Sequence, residues 1–235
     1  MADHPILFSA PMIKSLLAGS KTQTRRVLNP QPEHLQVYEW KGKRVHDSEY
    51  RHWCWRGHVG ADNWDDISAQ LRPFLPIKVG DRLWCKETWA PLTALKHNDP
   101  GTCALIDNGF YRADGSVHDD EIDRWRPSIF MPRARSRITL LVDDVKVERL
   151  QDISYADAIA EGVEAHDGMD ADCMGYRDYS DPSRSHWVNS YVSYATLWDS
   201  INEKRGMPWS ANPWIVAYTF RTVIENIDYI GKAAA

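Results

Sequence analysis

The nine residues Ala18-Gly19-Ser20-Lys21-Thr22-Gln23-Thr24-Arg25-Arg26 join a predicted helix to a predicted strand. Before them, Ser9 can cap a helix whose first turn tolerates Pro11. Helical spacing predicts a buried stripe formed by Met12, Ile13, Leu16 and Leu17. Gly19 is placed to end this helix in the left-handed conformation. After it, alternation puts Thr22, Thr24 and Arg26 on one face of a strand and Gln23, Arg25 and Val27 on the other.

Lys21 and Thr24 allow two interpretations. Charged residues are mostly exposed, so the lysine and the arginines can form a solvated basic turn beside ordinary strand threonines. Alternatively, a lysine partly removed from water loses its proton more easily and can take one from a nearby hydroxyl, which makes that hydroxyl a nucleophile. The residues alone leave both interpretations open.

Composition indicates one soluble globular domain of 235 residues, long enough to bury a substantial core. The net charge of −5 argues against a nonspecific nucleic-acid binder, for which a basic domain is expected. Eleven tryptophans are unusually many for this length; we expect most of them in the core and a minority available to stack on a planar base. The N-terminus has no apolar signal core, so a cytoplasmic location without membrane contact is expected.

The four cysteines are far apart and form no Cys-x-x-Cys pair, so neither a zinc site nor a disulfide framework is predicted. The residues His52, Cys54 and His58 lie close in sequence, but their spacing fits no common ligand pattern. A packed aromatic hairpin is the favoured interpretation of 52–58. We therefore predict no metal ion and no cofactor.

Four further patterns describe the rest of the chain. A change of alternation at Asp143-Asp144 predicts a β-bulge, and Ser154 with Asp157 predicts a capped helix that runs to Glu161. A third helix is predicted from an apolar stripe formed by Trp187, Val188, Tyr191, Tyr194, Ala195, Trp198 and Ile201. The closing strand, 214–223, is predicted to turn its even-numbered residues inward. Loops are expected at 93–123 and 163–186, and a hairpin tip at 41–43.

The run Gly-Ser-Lys-Thr-Gln-Thr-Arg-Arg at 19–26 resembles the signature Gly-x-Lys-Thr-x-Thr-x-Arg of the ASCH domain family. The order of the predicted elements is similar to the family's order, and 126–133 and 197–202 resemble patterns of larger phage and prophage ASCH proteins. The resemblance implies an α+β fold with a PUA-like β-barrel, a few short helices and long insertions. It implies a single domain, 1–235, with core segments 5–28, 76–92, 136–162 and 187–223 and insertions 29–75, 93–135 and 163–186.

Several members of this family are amidohydrolases that act on N(4)-acetylcytidine, and their lysine, threonine and glutamate fall on Lys21, Thr24 and Glu161. The resemblance therefore implies metal-independent hydrolysis of the acyl group on the exocyclic amine of a cytidine. Thr24 would attack or position water, Lys21 would take the proton, and Glu161 would protonate the departing amine. At the end of a helix the dipole disfavours an ionised carboxyl by about 0.3–1 kcal/mol, which suits proton donation.

Two further residues are candidates for binding the nucleoside substrate. Arg26, on the face of Thr24, would stabilise the oxyanion or orient the base, and Glu87 would make a polar contact to the substrate. The alternative function is an RNA or modified-nucleic-acid binding module, or a nuclease, that uses the same cleft. It would rely on the arginines of 124–137, which lie among aromatic residues and prolines.

Overall fold

The structure is a computed structural model that describes residues 1–35, 38–40, 43–45, 52–55, 58–61, 71–91, 109–115, 122–165, 175–180 and 187–230. The three helices in this part of the chain are α1 (Ala10–Leu17), α2 (Tyr155–Ala160) and α3 (Ser190–Asn202). The strands are β1 (Asp3–Leu7), β2 (Gln23–Val27), β3 (Glu33–Leu35), β4 (Tyr38–Trp40), β5 (Lys43–Val45), β6 (His52–Trp55), β7 (His58–Ala61), β8 (Arg82–Lys86), β9 (Trp89–Ala90), β10 (Phe110–Tyr111), β11 (Thr139–Arg149), β12 (Tyr176–Arg177), β13 (Trp187–Val188) and β14 (Trp214–Val223). This content confirms the α+β class.

Five strands form the main sheet, in the order β1-β8-β11-β14-β2. Strand β1 is parallel to β8, and β11 pairs with β8 in the antiparallel direction. The expected closure into a barrel is not observed among the described residues, because no pairing there joins β1 to β2. Pro5 lies within β1 and has no N–H to donate, which suits a strand at the edge of a sheet better than one that must pair on both sides.

The chain groups into two compact units. Unit 1 comprises Met1–Thr22, Val79–Asp143 and Thr219–Ala235, and unit 2 comprises Gln23–Lys78 and Asp144–Tyr218. In unit 1, helix α1 begins after Ser9, as predicted, but the Ser9 side chain does not make the expected capping hydrogen bond. The helix buries Ile13 and Leu16, as predicted, whereas Met12 and Leu17 are only half-buried. The chain leaves α1 through Gly19 with a φ of 74°, the left-handed conformation that glycine adopts without strain.

The core of unit 2 packs α2 and α3 against β14. Its buried members are Leu150, Ile153, Ala158, Val163, Tyr194, Trp198, Ile215 and Ala217. Helix α2 has the predicted cap: the Ser154 hydroxyl accepts a hydrogen bond from the Asp157 backbone N–H at 3.0 Å. Helix α2 ends at Ala160, so Glu161 is its C-terminal cap residue, and Gly162 follows with a φ of 81°.

Two burial patterns agree only in part with the prediction: α3 buries Tyr194 and Trp198 as expected, but not the whole apolar stripe. Helix α3 begins at Ser190 and buries Ser190, Ser193, Tyr194 and Trp198, whereas Trp187 and Val188 belong to strand β13. Both buried serines have hydrogen-bond partners, because the hydroxyls of Ser190 and Ser193 donate to the backbone carbonyls of Tyr155 and Arg177, respectively. In β14 the even-numbered residues from Trp214 to Phe220 are all buried, as predicted, and Ile215 and Ala217 between them are buried as well. Its place between β11 and β2 in the sheet order suits a strand buried on both faces.

The change of alternation in β11 is confirmed. Val142 and Val145 are buried, whereas Asp143 and Asp144 between them are both exposed, so the buried face changes at that point. Because the alternation shifts by one residue at this point, Val142 before it and Val145 after it are both buried.

Two hairpins lie in the expected insertion 29–75. Strands β4 and β5 pair with Trp40 opposite Lys43, and β6 and β7 pair with Trp55 opposite His58. The hairpin predictions are thus confirmed for the backbone, whereas the tip residues 41–42 and the packing of the side chains of 52–58 lie outside the description. Most of the loops predicted at 93–123 and 163–186 also lie outside the described residues. In the described part of the chain, no helix is both long and apolar enough to cross a bilayer.

Candidate functional site

Lys21, in unit 1, is removed from solvent. Its side chain is 0% exposed, and its ammonium nitrogen lies 5.7 Å from the centre of the Phe8 ring. The end of α1 fixes this position, because the backbone N–H groups of Ser20 and Lys21 both donate to the Ser15 carbonyl. The interpretation of this stretch as a solvated basic turn is therefore wrong for Lys21. Thr22, the next residue, is exposed.

Thr24, in unit 2, is also 0% exposed and is joined to Arg26. The Arg26 Nη1 donates to Thr24 Oγ1 at 2.8 Å and to the Arg25 carbonyl at 3.1 Å. This contact confirms that Thr24 and Arg26 share one face of β2. Burial lowers the pKa of Arg26, while the charge of Glu161 and the neighbouring tyrosines Tyr194 and Tyr218 partly oppose that effect.

Arg25, which the sequence places on the other face, lies at the centre of a buried ion cluster in unit 2. Its Nε and Nη2 donate to Glu148 Oε1 at 3.2 and 3.0 Å, and its Nη1 donates to Glu161 Oε1 at 3.3 Å and to Gln23 Oε1 at 3.1 Å. The Oδ2 of Asp157 lies 3.6 Å from Nη2. The side chains of Arg25 and Glu148 are each 1% exposed, so this arginine is not part of a solvated turn.

The charges of the cluster stabilise one another. Burial disfavours the Arg25 guanidinium, but the charges of Glu161, Glu148 and Asp157 outweigh it and raise the pKa of Arg25. Burial alone would raise the pKa of Asp157, yet hydrogen bonds from Ser154 and Gln23 and the charge of Arg25 lower it. Lys146, half-exposed, contacts the second oxygen of Glu148 at 2.6 Å. Three carboxylates are thus shared between one buried guanidinium and one ammonium.

Glu161 is held on one carboxylate oxygen by two donors from different elements. Besides Arg25 of β2, the Tyr194 hydroxyl of α3 lies 3.5 Å from Glu161 Oε1. Burial and then the Glu161 charge raise the pKa of Tyr194 well above its ordinary value, so this hydroxyl keeps its proton and serves as a donor. The proton-donor role expected from the sequence therefore falls on a carboxyl group whose Oε1 is contacted by both Arg25 and Tyr194.

Glu87, in unit 1, is buried and bound by an arginine. The Nε and Nη2 of Arg137 donate to its two oxygens at 2.9 and 3.1 Å, and Arg137 also contacts Asp114 and lies 3.9 Å from the centre of the Tyr111 ring. Burial raises the pKa of Glu87, although Arg137 partly offsets this. A substrate contact by Glu87 would therefore be made by a carboxylate that already accepts two hydrogen bonds.

The arginines of 124–137 are in different environments. Arg137 is paired as described, and Arg133 contacts both Asp3 and Asp228. Arg124 and Arg126 are exposed, and the Arg126 guanidinium lies 5.4 Å from the centre of the Trp89 ring. Two of the five positive charges on which nucleic-acid binding would rely are thus neutralised by carboxylates.

The structure gathers some of the predicted residues. Within unit 2, Thr24 contacts Arg26, and Glu161 acts on Arg26 electrostatically, whereas Lys21 and Glu87 belong to unit 1. Sequence reasoning missed Arg25, Glu148 and Tyr194 as parts of the site. Arg25 could have been suspected because it is next to Thr24 in the sequence. Glu148 could have been suspected because it is a carboxylate inside the buried second half of β11.

The described residues contain no group of three or more histidine, cysteine, aspartate or glutamate side chains arranged to hold a metal ion. Comparisons with known proteins do not add to this picture: no family model, no curated protein and no solved structure matches the chain.

Proposed function

We propose that the protein is an amidohydrolase that removes the acyl group from the exocyclic amine of an N(4)-acylated cytidine, as a free nucleoside or base. The observation that carries the proposal is the complete burial of the Lys21 side chain, three residues before an equally buried Thr24. Full burial is rare for a lysine, and it favours the neutral amine that a general base requires. The resemblance of 19–26 to the ASCH signature supplies the substrate class.

The first step is attack by a hydroxyl on the acyl carbonyl. Lys21, as a neutral amine, takes the proton of Thr24 Oγ1 while that oxygen bonds to the carbonyl carbon, and the carbonyl electrons move to oxygen. Burial favours the neutral form of an amine, which a solvated lysine would not provide at neutral pH. Alternatively, Thr24 positions a water molecule that attacks in its place and loses its proton to Lys21.

The second step expels the exocyclic nitrogen. The oxyanion returns its electrons, the C–N bond breaks, and Glu161, which acts in its protonated form, donates a proton to the departing amine, so that cytidine leaves. Water then attacks the threonyl ester and gives one proton to Glu161, Thr24 Oγ1 recovers its proton from Lys21, and the carboxylic acid is released. In this scheme the Arg26 guanidinium, which lies 2.8 Å from Thr24 Oγ1, stabilises the oxyanion or orients the base. No cofactor takes part.

The assignment of the structure to a fold family is part of the same proposal. We take the five-stranded sheet and the helices α1 and α2 as the core of a PUA-like, ASCH-type domain, with the two hairpins of 33–61 as an insertion. Two positions favour this assignment: the signature runs from the turn after α1 into β2, and Glu161 directly follows α2.

The test is turnover of a substrate panel. The purified protein is incubated with N(4)-acetylcytidine and longer N(4)-acyl cytidines in the presence of EDTA, and the released cytidine is quantified by chromatography. We expect turnover of at least one of them. Absence of turnover above background on the whole panel would refute the proposed function.

A matched pair of lysine variants tests the role of the buried amine. Lys21→Met replaces it with an uncharged chain of similar length, and Lys14→Met makes the same change at an exposed position of α1. We expect Lys21→Met to lose turnover and Lys14→Met to retain it. Turnover undiminished by Lys21→Met would leave the activity in place but discard this mechanism.

The alternative, a nucleic-acid binder or nuclease, predicts different behaviour. The affinity of a nucleic-acid binder should fall steeply as salt rises, whereas an amidohydrolase that acts on a nucleoside should keep a nearly constant kcat/KM. Incubation with structured RNA would expose a nuclease. Cleavage or salt-sensitive binding of RNA without nucleoside turnover would replace the present proposal by that one.

A further inference from the structure

All three nitrogens of the buried Arg25 guanidinium donate hydrogen bonds within unit 2. Nε and Nη2 both donate to Glu148 Oε1, and Nη1 is shared between Gln23 Oε1 and Glu161 Oε1. Because the guanidinium is planar and its donors are fixed relative to one another, the contacts to Glu148 and Gln23 determine where Nη1 lies. The position of Nη1 then defines one point that the Glu161 carboxylate must reach.

Glu161 needs such an anchor because of where it stands in the chain. It is the residue directly after α2, a helix of only six residues, and helix ends fray. Its backbone N–H donates to the Asp157 carbonyl at 2.9 Å, which fixes the main chain but not the carboxylate. The carboxylate is fixed from outside the helix, by Arg25 and by the Tyr194 hydroxyl on the same oxygen.

We propose that Arg25 is a positioning residue that, together with Tyr194, clamps Glu161 by its Oε1 atom, and that Glu148 holds Arg25 in the orientation that does so. The kinetic part of this inference rests on the proposed function, in which Glu161 donates the proton. Arg25 itself does not touch the substrate in this scheme. It lies on the face of β2 opposite to Thr24 and acts only through Glu161.

Stability alone explains the cluster poorly. Removing two charges from water costs several kcal/mol for each ion, and replacing a buried ion pair by apolar residues of similar volume is often neutral or stabilising. A fold that needed only cohesion at this position could therefore pack methionine or leucine there. The planar, three-way contact of Arg25 supplies orientation, which apolar side chains do not.

A kinetic double-mutant cycle tests whether Arg25 acts through Glu161. Arg25→Met should lower kcat for N(4)-acetylcytidine by roughly 10–100-fold, the cost of misplacing a catalytic group by about 1 Å, with KM nearly unchanged. In a Glu161→Gln background the same substitution should change kcat by less than about threefold, because the group that it positions is already lost. Arg25→Lys should recover part of the loss, since lysine keeps the charge but not the fork.

Two further variants test whether a loss of kcat is caused merely by a loss of folding. Arg25→Met with Glu148→Met removes the clamp together with the carboxylate that accepts two of its hydrogen bonds, so it should be more stable than Arg25→Met alone and still show the kcat loss. Arg221→Met, at an exposed arginine paired with Asp143, makes the same chemical change outside the site and should leave kcat and KM at wild-type values. An equal loss from Arg25→Met in both backgrounds, or a wild-type kcat in Arg25→Met with Glu148→Met, would overturn the inference.

Urea unfolding of the same cycle gives a readout that does not need turnover. If Arg25 clamps Glu161, the shift in the unfolding midpoint for the double variant Arg25→Met with Glu161→Gln should be smaller than the sum of the two single shifts. Additive shifts would overturn the clamp. A wild-type protein without turnover would refute the proposed function, and this cycle alone would then decide whether Arg25 holds Glu161.

Discussion

Replacing Thr24 by valine separates the chemistry of its hydroxyl from its contribution to the fold. Valine has nearly the same shape, so the substitution removes one buried oxygen and creates no cavity. The lost hydrogen bond comes from a charged donor, Arg26, and such bonds contribute about 1.5–3 kcal/mol. Arg26 Nη1 keeps its second acceptor, the Arg25 carbonyl at 3.1 Å, and the added methyl group gains about 0.8 kcal/mol from burial.

The net cost of Thr24→Val is therefore about 1 kcal/mol, which corresponds to a fall of about 2–4 °C in Tm for a chain of this size. The loss of activity should be much larger. Without the hydroxyl there is neither a nucleophile nor a group to position water, so we expect kcat/KM for N(4)-acetylcytidine to fall by about 10³-fold or more. Thr24→Ser keeps the hydroxyl and should stay within about tenfold of wild type.

Thermal unfolding followed by circular dichroism and cytidine release followed by chromatography measure the two quantities on the same samples. A Thr24→Val protein that retains a tenth or more of wild-type turnover would refute the assigned role of the hydroxyl. A fall in Tm of more than about 10 °C, equivalent to roughly 3 kcal/mol or more, would show instead that the oxygen is a structural element and that the energy estimate is wrong.

Three other predictions concern stability. Gly109→Ala should lower the free energy of unfolding in urea by roughly 3 kcal/mol or more, because φ is 95° and a Cβ would lie 2.4 Å from the Ala90 carbonyl oxygen. Gly19→Ala, at a φ of 74° with open space around it, should lower it by only about 1 kcal/mol. Equal losses for the two variants would contradict this prediction. Burial alone would raise the pKa of Asp3, but two arginines lower it below 3.8, so the stabilisation by Asp3 is present above that pH and lost as pH falls. Urea midpoints should show that Asp3→Asn weakens the protein at pH 7 and does so progressively less as the pH falls below 3.8. Burial raises the pKa of Tyr218 to about 12 despite a nearby arginine, so the stabilisation by Tyr218 is present below pH 10 and lost as pH rises towards 12. In the wild type the urea midpoint should therefore fall over this pH range, and Tyr218→Phe should make that fall less steep. An equally steep fall in the variant would contradict the prediction.

Local patterns predicted the elements that local interactions determine. The helix start at Ser9, the cap at Ser154 and the change of burial at Asp143-Asp144 all depend on hydrogen bonds or alternation within a few residues. The positions of Lys21 and Thr24 in the signature identified two fully buried polar residues. These features could be predicted because the residues that cause them are neighbours in the chain.

The incomplete predictions of burial share a different cause. The apolar stripe of α3 was drawn through large side chains, but Ser190 and Ser193 are buried because carbonyls from distant segments accept their protons. Strand β14 is buried on both faces because of its neighbours in the sheet, which its own alternation does not reveal. The environment of a polar side chain depends on partners contributed by other elements, and a single sequence does not list those partners.

Arg25 gives the strongest example of such a partner effect, and it bears on function. Its three carboxylate neighbours come from β11 and α2, more than 120 residues away in the chain, so no spacing rule could have placed it inside. Burying these charges brings little net stability, because desolvation offsets most of their attraction. A guanidinium held on two sides and directed at Glu161 therefore serves orientation rather than cohesion. If so, the variant Arg25→Met with Glu148→Met should be more stable than Arg25→Met alone and yet slower than the wild type.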